Sequence, residues 1–127
     1  MITIRELNPH DYKTSLIIDK NLSILLQRIN EIRNAYGKPM VVTSGLRSES
    51  DQDLLIAQKK TNAKHSKHLA GLACDIKDCD GELKAWIKQN VKALEVIGLW
   101  CEDFAYTPTW VHFQCSSPLS GKRFFIP

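Results

Sequence analysis

The sequence predicts an α+β fold, a small antiparallel sheet flanked by helices. Three observations lead there. Apolar residues Leu22, Leu25, Leu26, Ile29, Ile32 and Ala35 recur in steps of three and four, the stripe of an amphipathic helix over 19–36. Short β-type runs at 40–43, 71–76, 96–101 and 110–115 do not alternate strictly with helical stretches, as a doubly wound fold would require. The last two runs are separated only by a turn-rich stretch holding Thr107-Pro108-Thr109, which reads as a hairpin with a long loop.

Taken in order, Ile2, Ile4 and Leu7 alternate weakly and suggest a short strand before the turn signal Asn8-Pro9. The long helix stops at Gly37-Lys38-Pro39, a glycine after the last turn with a proline close behind. Met40-Val41-Val42-Thr43 is a β-branched run ended by Ser44-Gly45. Ser48 fits an N-cap, with Asp51 three residues on, for a helix over 49–59. Residues 61–70 are polar and should form a loop. Gly71-Leu72-Ala73-Cys74-Asp75-Ile76 alternates as a strand does, and Asp80 can cap a helix over 81–94 with Leu83, Trp86, Ile87, Val91 and Leu94 inward.

The chain has 127 residues and a formal charge of +3, with 43% hydrophobic and 24% charged residues. That length suits one domain over 1–127 and burial of roughly two thirds of the unfolded surface, and the composition argues against disorder. No apolar run approaches the ~20 residues of a membrane span, so no membrane partner is expected. Lys and Arg are dispersed, and the small net charge gives no footprint for nucleic acid. The start, Met1-Ile2-Thr3-Ile4-Arg5-Glu6, has no secretory signal pattern, so synthesis in a cytosol is the expectation. Cys74, Cys79, Cys101 and Cys115 form no C-x-x-C pair and are expected as free, mostly buried thiols, with an all-cysteine zinc site as the alternative.

His68, Asp75 and His112 stand out for chemistry. Asp75 and His112 lie inside apolar β-type runs, where an unpaired ionisable group is costly. Two neutral imidazoles and one carboxylate form a catalytic zinc set that leaves a coordination position open. On spacing alone, a structural pairing of Asp75 with a lysine and a satisfied core histidine at 112 explain the same residues.

A resemblance adds to this. Ser66-Lys67-His68-Leu69-Ala70-Gly71-Leu72-Ala73-Cys74-Asp75 matches the pattern S-x-H-x-x-G-x-A-x-D of a zinc peptidase family. That family includes D-Ala-D-Ala carboxypeptidases and dipeptidases and phage L-alanyl-D-glutamate endolysins, and shares its fold with the Hedgehog signalling domain. Ser44-Gly45-Leu46-Arg47-Ser48 resembles the family's S-G-x-R-S segment, and Trp110-Val111-His112 its C-terminal histidine strand. The resemblance implies Zn²⁺ held by His68, Asp75 and His112. It implies Ser66 as a hydroxyl that orients a ligand or touches substrate, and Arg47 as a fixed charge for a substrate carboxylate or a developing oxyanion. Without it, Arg47 reads as a salt-bridge partner of Glu49 or Asp51. His65 and Cys74 are not expected in the ligand set.

The chain departs from the family where a general base is expected. Many members carry an acid three residues before the last histidine, and some carry one two residues after it; here those positions are Thr109 and Gln114. Glu102 is the first replacement and Asp103 the second, since the expected hairpin brings both near His112; Asp103 can also cap the turn before Phe104-Ala105-Tyr106, and both can be plain turn carboxylates. Trp110, with Tyr106 and Trp100, is expected to line a substrate groove or simply to pack the hairpin.

The resulting expectation is a zinc metallopeptidase cutting the stem peptides of peptidoglycan, as an endolysin-like L,D- or D,D-peptidase. It would be released from the host cytosol to the cell wall, or carried in a phage virion among other virion proteins. A non-catalytic zinc-binding virion module and a D-Ala-D-Ala dipeptidase or carboxypeptidase are the alternatives. The tail at 118–127 is too short for a wall-anchoring module, so affinity for the wall is expected from the catalytic face itself.

Overall fold

A computed structural model describes residues 1–48 and 66–127. The helix expected over 49–59, the first half of the 61–70 loop and His65 lie outside the described residues. Along the chain come α1 (Ile4–Leu7), α2 (Leu16–Tyr36), β1 (Val42–Ser44), β2 (Ala73–Lys77), α3 (Glu82–Gln89), α4 (Val91–Ile97), β3 (Trp100–Glu102), a 3-10 turn (Phe104–Tyr106), β4 (Trp110–Gln114) and β5 (Phe124–Phe125). The strands form a five-stranded sheet in the order β1-β2-β4-β3-β5. Every pairing is antiparallel except that of β3 with β5. The α+β class and the β3–β4 pairing expected from the sequence are both present. Among the described residues, no helix is long and apolar enough to cross a membrane.

The amino terminus corrects the expectation of a strand. Thr3 and Glu6 form a reciprocal capping box that starts α1, a local signal stronger than a two-residue alternation. Helix α2 begins at Leu16 because the Ser15 hydroxyl accepts the Ile18 amide at 3.2 Å. It ends where Gly37 takes a left-handed conformation.

The helix expected over 81–94 is two helices. Asn90 breaks it: its side chain donates to the Trp86 carbonyl at 2.8 Å and its backbone leaves helical geometry. Helix α4 then continues through Val96 and Ile97, which were expected to open a strand, and stops at Gly98. The α3 amino terminus is capped mainly by buried Asp78, whose carboxylate accepts the Leu83 and Lys84 amides, each at 3.0 Å; the expected Asp80 accepts only the Glu82 amide.

Strand alternation sorts the sheet into two faces. Cys74, Ile76, Cys101, Val111 and Phe113 share a core with Leu22, Leu25, Ile29 and Ile32 of α2, Leu83 and Ile87 of α3, and Leu94 of α4. Cys74, Cys101 and Cys115 are buried free thiols and Cys79 is exposed. The opposite parity, Asp75 on β2, Trp110, His112 and Gln114 on β4, and Trp100 and Glu102 on β3, carries the polar groups.

Candidate metal and catalytic site

The register aligns the polar face into one row across the sheet. Ser44 pairs with Asp75, and Asp75 with His112. The β3–β4 pairs Trp100↔Gln114 and Cys101↔Phe113 extend to set Glu102 opposite His112, and Glu102 pairs with Phe125. Side chains in such a row stand about 5 Å apart on one face. Asp75 and Glu102 therefore flank His112 from neighbouring strands.

His68 reaches this row from a turn just before β2. Its amide donates to the Ser66 hydroxyl at 3.2 Å, and its carbonyl accepts the Arg47 amide at 3.2 Å. Gly71 closes the turn with φ of 72°, and a Cβ there would lie 3.0 Å from Leu22 Cγ, so the residue must be small as well as left-handed. Asn21 of α2 ties the turn down by donating to the Ala70 carbonyl at 2.9 Å.

The three side chains converge. His68 Nε2 lies 3.3 Å and His112 Nδ1 3.0 Å from the same oxygen, Asp75 Oδ1. One ligand atom from each residue lies within 4.8 Å of the others. Zinc bonds of ~2.0–2.1 Å at tetrahedral angles separate ligand atoms by about 3.3 Å, so the spacing fits. The donor chemistry fits as well. His68 Nδ1 lies 2.8 Å from the Gly45 carbonyl, which can only accept, so Nδ1 carries the hydrogen. In the neutral ring, Nε2 then turns a bare lone pair toward the Asp75 carboxylate, an arrangement that a cation between them satisfies.

The electrostatics describe the same centre with a proton in the place of the cation, each imidazole in its charged form donating to Asp75. Burial lowers the His68 pKa, with lesser contributions from His112 and Arg47, and outweighs the pull of Asp75 toward the charged form. Burial alone would raise Asp75, but hydrogen bonds from His112 and His68 hold its carboxyl far below the usual carboxylate range. His112 is raised: burial opposes its charged form, and the Asp75 hydrogen bond prevails, helped by Gln114 and Glu102. Burial pushes Glu102 up, reinforced by the charge of Asp75 and opposed by His112 and Arg47.

Arg47 sits beside this centre. Its Nη2 is 3.5 Å from Asp75 Oδ2, and its Nε donates to Ser44 Oγ at 3.1 Å. Asp103 points elsewhere: its carboxylate caps the 3-10 turn by accepting the Ala105 amide at 2.9 Å. Trp110 shares the His112 face two residues away and is partly buried. Trp100 carries the Arg123 guanidinium 4.5 Å from its ring centre, so that face is already covered. Tyr106 is exposed on the 3-10 turn.

Sequence reasoning missed two participants. Gly45 supplies the carbonyl that orients His68, and its own Cβ would collide with the Leu7 backbone, 2.8 Å from the carbonyl carbon. The glycine inside Ser44-Gly45-Leu46-Arg47 was the available signal. Phe125, with its ring 5.9 Å from that of His112, closes the other side of the row. Only the aromatic pair in the tail hinted at it.

A family model described as Peptidase M15 matches residues 2–114. Among solved structures the chain resembles the Serratia marcescens L-Ala D-Glu endopeptidase ChiX, with a TM-score of 0.58 and 21% identity over 86% of this chain and 93% of that one. A search of curated protein sequences finds no match.

Proposed function

We propose that this chain, which belongs to the Peptidase M15 family, is a zinc-dependent peptidase that cleaves the stem peptides of bacterial peptidoglycan. The convergence of His68 and His112 on one oxygen of Asp75 carries the reading. These three residues would hold the ion. Bound Zn²⁺ supplies Lewis-acid polarisation of the scissile carbonyl and makes the attacking water more acidic.

The rest falls to side chains. Glu102 takes the proton of the attacking water and delivers it to the leaving amine. It lies in the row beside His112, and its raised pKa moves a carboxylate toward the range in which a base can also return a proton. Arg47 keeps a permanent positive charge at the edge of the centre, suited to a substrate carboxylate or to oxyanion charge that grows during attack. Trp110 offers an aromatic wall on the same face for the peptide. Ser66 acts through the backbone of His68 and supports the turn that presents the ligand. Asp103, engaged as a cap, has no part in proton transfer.

The test is digestion of purified peptidoglycan with mass analysis of the products. The zinc-loaded protein should release cleaved stem peptides, and chelator or His68→Ala should abolish release. A folded, zinc-loaded protein that leaves both wall and isolated stem peptides intact would refute the proposal. Release of terminal D-Ala alone would mark a carboxypeptidase, whereas cleavage within the stem would mark an endopeptidase.

A further inference from the structure

The geometry points to Gln114 as the positioning residue that decides which nitrogen of His112 faces the metal position, an assignment that rests on the metal-centre reading above. Gln114 Nε2 donates to the Ser116 carbonyl at 2.9 Å. A backbone carbonyl only accepts, so the amide nitrogen must face Ser116 and the amide oxygen must face the other way. That oxygen, Oε1, lies 3.1 Å from His112 Nε2. It too only accepts, so Nε2 carries the hydrogen. In the neutral ring Nδ1 is then left bare, 3.0 Å from Asp75 Oδ1, where the other ligand atoms converge.

The opposite amide orientation would set two oxygens against each other at Ser116. It would also donate an N–H to His112 Nε2, moving the ring hydrogen to Nδ1, where it blocks coordination. Gln114 is only 3% exposed, which leaves little room for water to replace the acceptor. The segment that carries Ser116 is itself held: Arg28 Nη1 donates to the Cys115 carbonyl at 3.0 Å, and the Cys115 amide donates to the Leu72 carbonyl at 2.9 Å.

The two imidazoles are thus locked in opposite senses. Gly45 takes the Nδ1 hydrogen of His68 and frees Nε2; Gln114 takes the Nε2 hydrogen of His112 and frees Nδ1. Both acceptors are neutral. A carboxylate at position 114 could also accept from Nε2, but it would place a second negative charge behind the ring and reduce the electron demand of the ion. The amide fixes the ring without that charge. The position that lacks a proton-transferring acid therefore has a different task.

The experiment measures zinc affinity by competition with a chromophoric chelator for wild type, Gln114→Leu and Gln114→Glu, each checked for folding by circular dichroism. It also reads the His112 ring nitrogens of zinc-loaded wild type from long-range ¹H–¹⁵N correlations, which need no variant. Gln114→Leu should bind zinc about 10–100-fold more weakly, whereas Gln114→Glu, which keeps an oxygen toward Nε2 but sets its other oxygen against the Ser116 carbonyl, should lose clearly less than Gln114→Leu. The spectrum should show hydrogen on Nε2 and the metal on Nδ1. The assignment is overturned if Gln114→Leu binds within about twofold of wild type, if both variants weaken equally, or if Nδ1 carries the hydrogen. Wild type that takes up no zinc would overturn the metal-centre reading itself, and this assignment with it.

Discussion

Replacing Gly45 with alanine adds a single methyl group at the point where two parts of the site are joined. An added Cβ would lie 2.8 Å from the Leu7 carbonyl carbon and 2.9 Å from Leu7 Cα, and would press on the Leu7 oxygen itself. These are backbone atoms at the end of α1 and cannot rotate aside. The same Leu7 oxygen accepts the Leu46 amide at 2.7 Å, so separating the two segments also breaks that bond. Over-packing costs about 1–3 kcal/mol, and a stranded backbone partner costs a similar amount. With overlap between the two, a loss of about 2–4 kcal/mol is expected, or a fall in Tm of roughly 10 °C for a chain of this size. The displacement also moves the Gly45 carbonyl away from His68 Nδ1, now 2.8 Å away. Zinc affinity should therefore drop about 10–100-fold, as it does when the acceptor that orients a ligand is removed. Thermal denaturation of the metal-free protein reads the first effect, and chelator competition at a temperature where the variant is folded reads the second. A Gly45→Ala protein that melts within about 2 °C of wild type and binds zinc equally well would refute the reasoning.

The other predictions concern proton transfer and capping. Glu102→Gln should lower kcat by about 10²–10⁴-fold with zinc uptake intact, whereas Asp103→Ala should cost only about 1 kcal/mol of stability and leave turnover unchanged. A base works when deprotonated, so kcat/KM should rise with pH through the Glu102 pKa. Burial places that limb above the usual glutamate value of about 4.3, and Glu102→Gln should remove it. Asp78→Ala strands two amides at the start of α3 and should cost about 2 kcal/mol in denaturant titration, more than Asp80→Ala, while zinc affinity stays the same.

Much of the proposed ligand set is legible in the sequence because chemistry and chain order coincide in it. Asp75 and His112 interrupt apolar strands, and the Ser66–Asp75 pattern supplies His68 with the glycine its turn needs. Glu102 ranks ahead of Asp103 from the sequence, but only as the first of two adjacent carboxylates. The β3 register and the cap on Ala105 separate them. Helix boundaries were lost to competing local signals. Thr3 and Glu6 outweighed an alternation of two isoleucines, and Asn90 broke a continuous apolar stripe by bonding its own helix. The acceptors behind the histidines were hidden for another reason. Gly45 acts through a backbone carbonyl, which no side-chain pattern reports, and Gln114 acts through the orientation of an amide set by a neighbouring carbonyl.

The most direct test of the account is a crystal structure of the zinc-loaded protein with the ion located by anomalous scattering. The account predicts one ion held by His68 Nε2, Asp75 Oδ1 and His112 Nδ1, with Glu102 as the nearest carboxylate outside the ligand set. An ion bound elsewhere, His112 coordinating through Nε2, or Glu102 turned away from the open coordination position would contradict it.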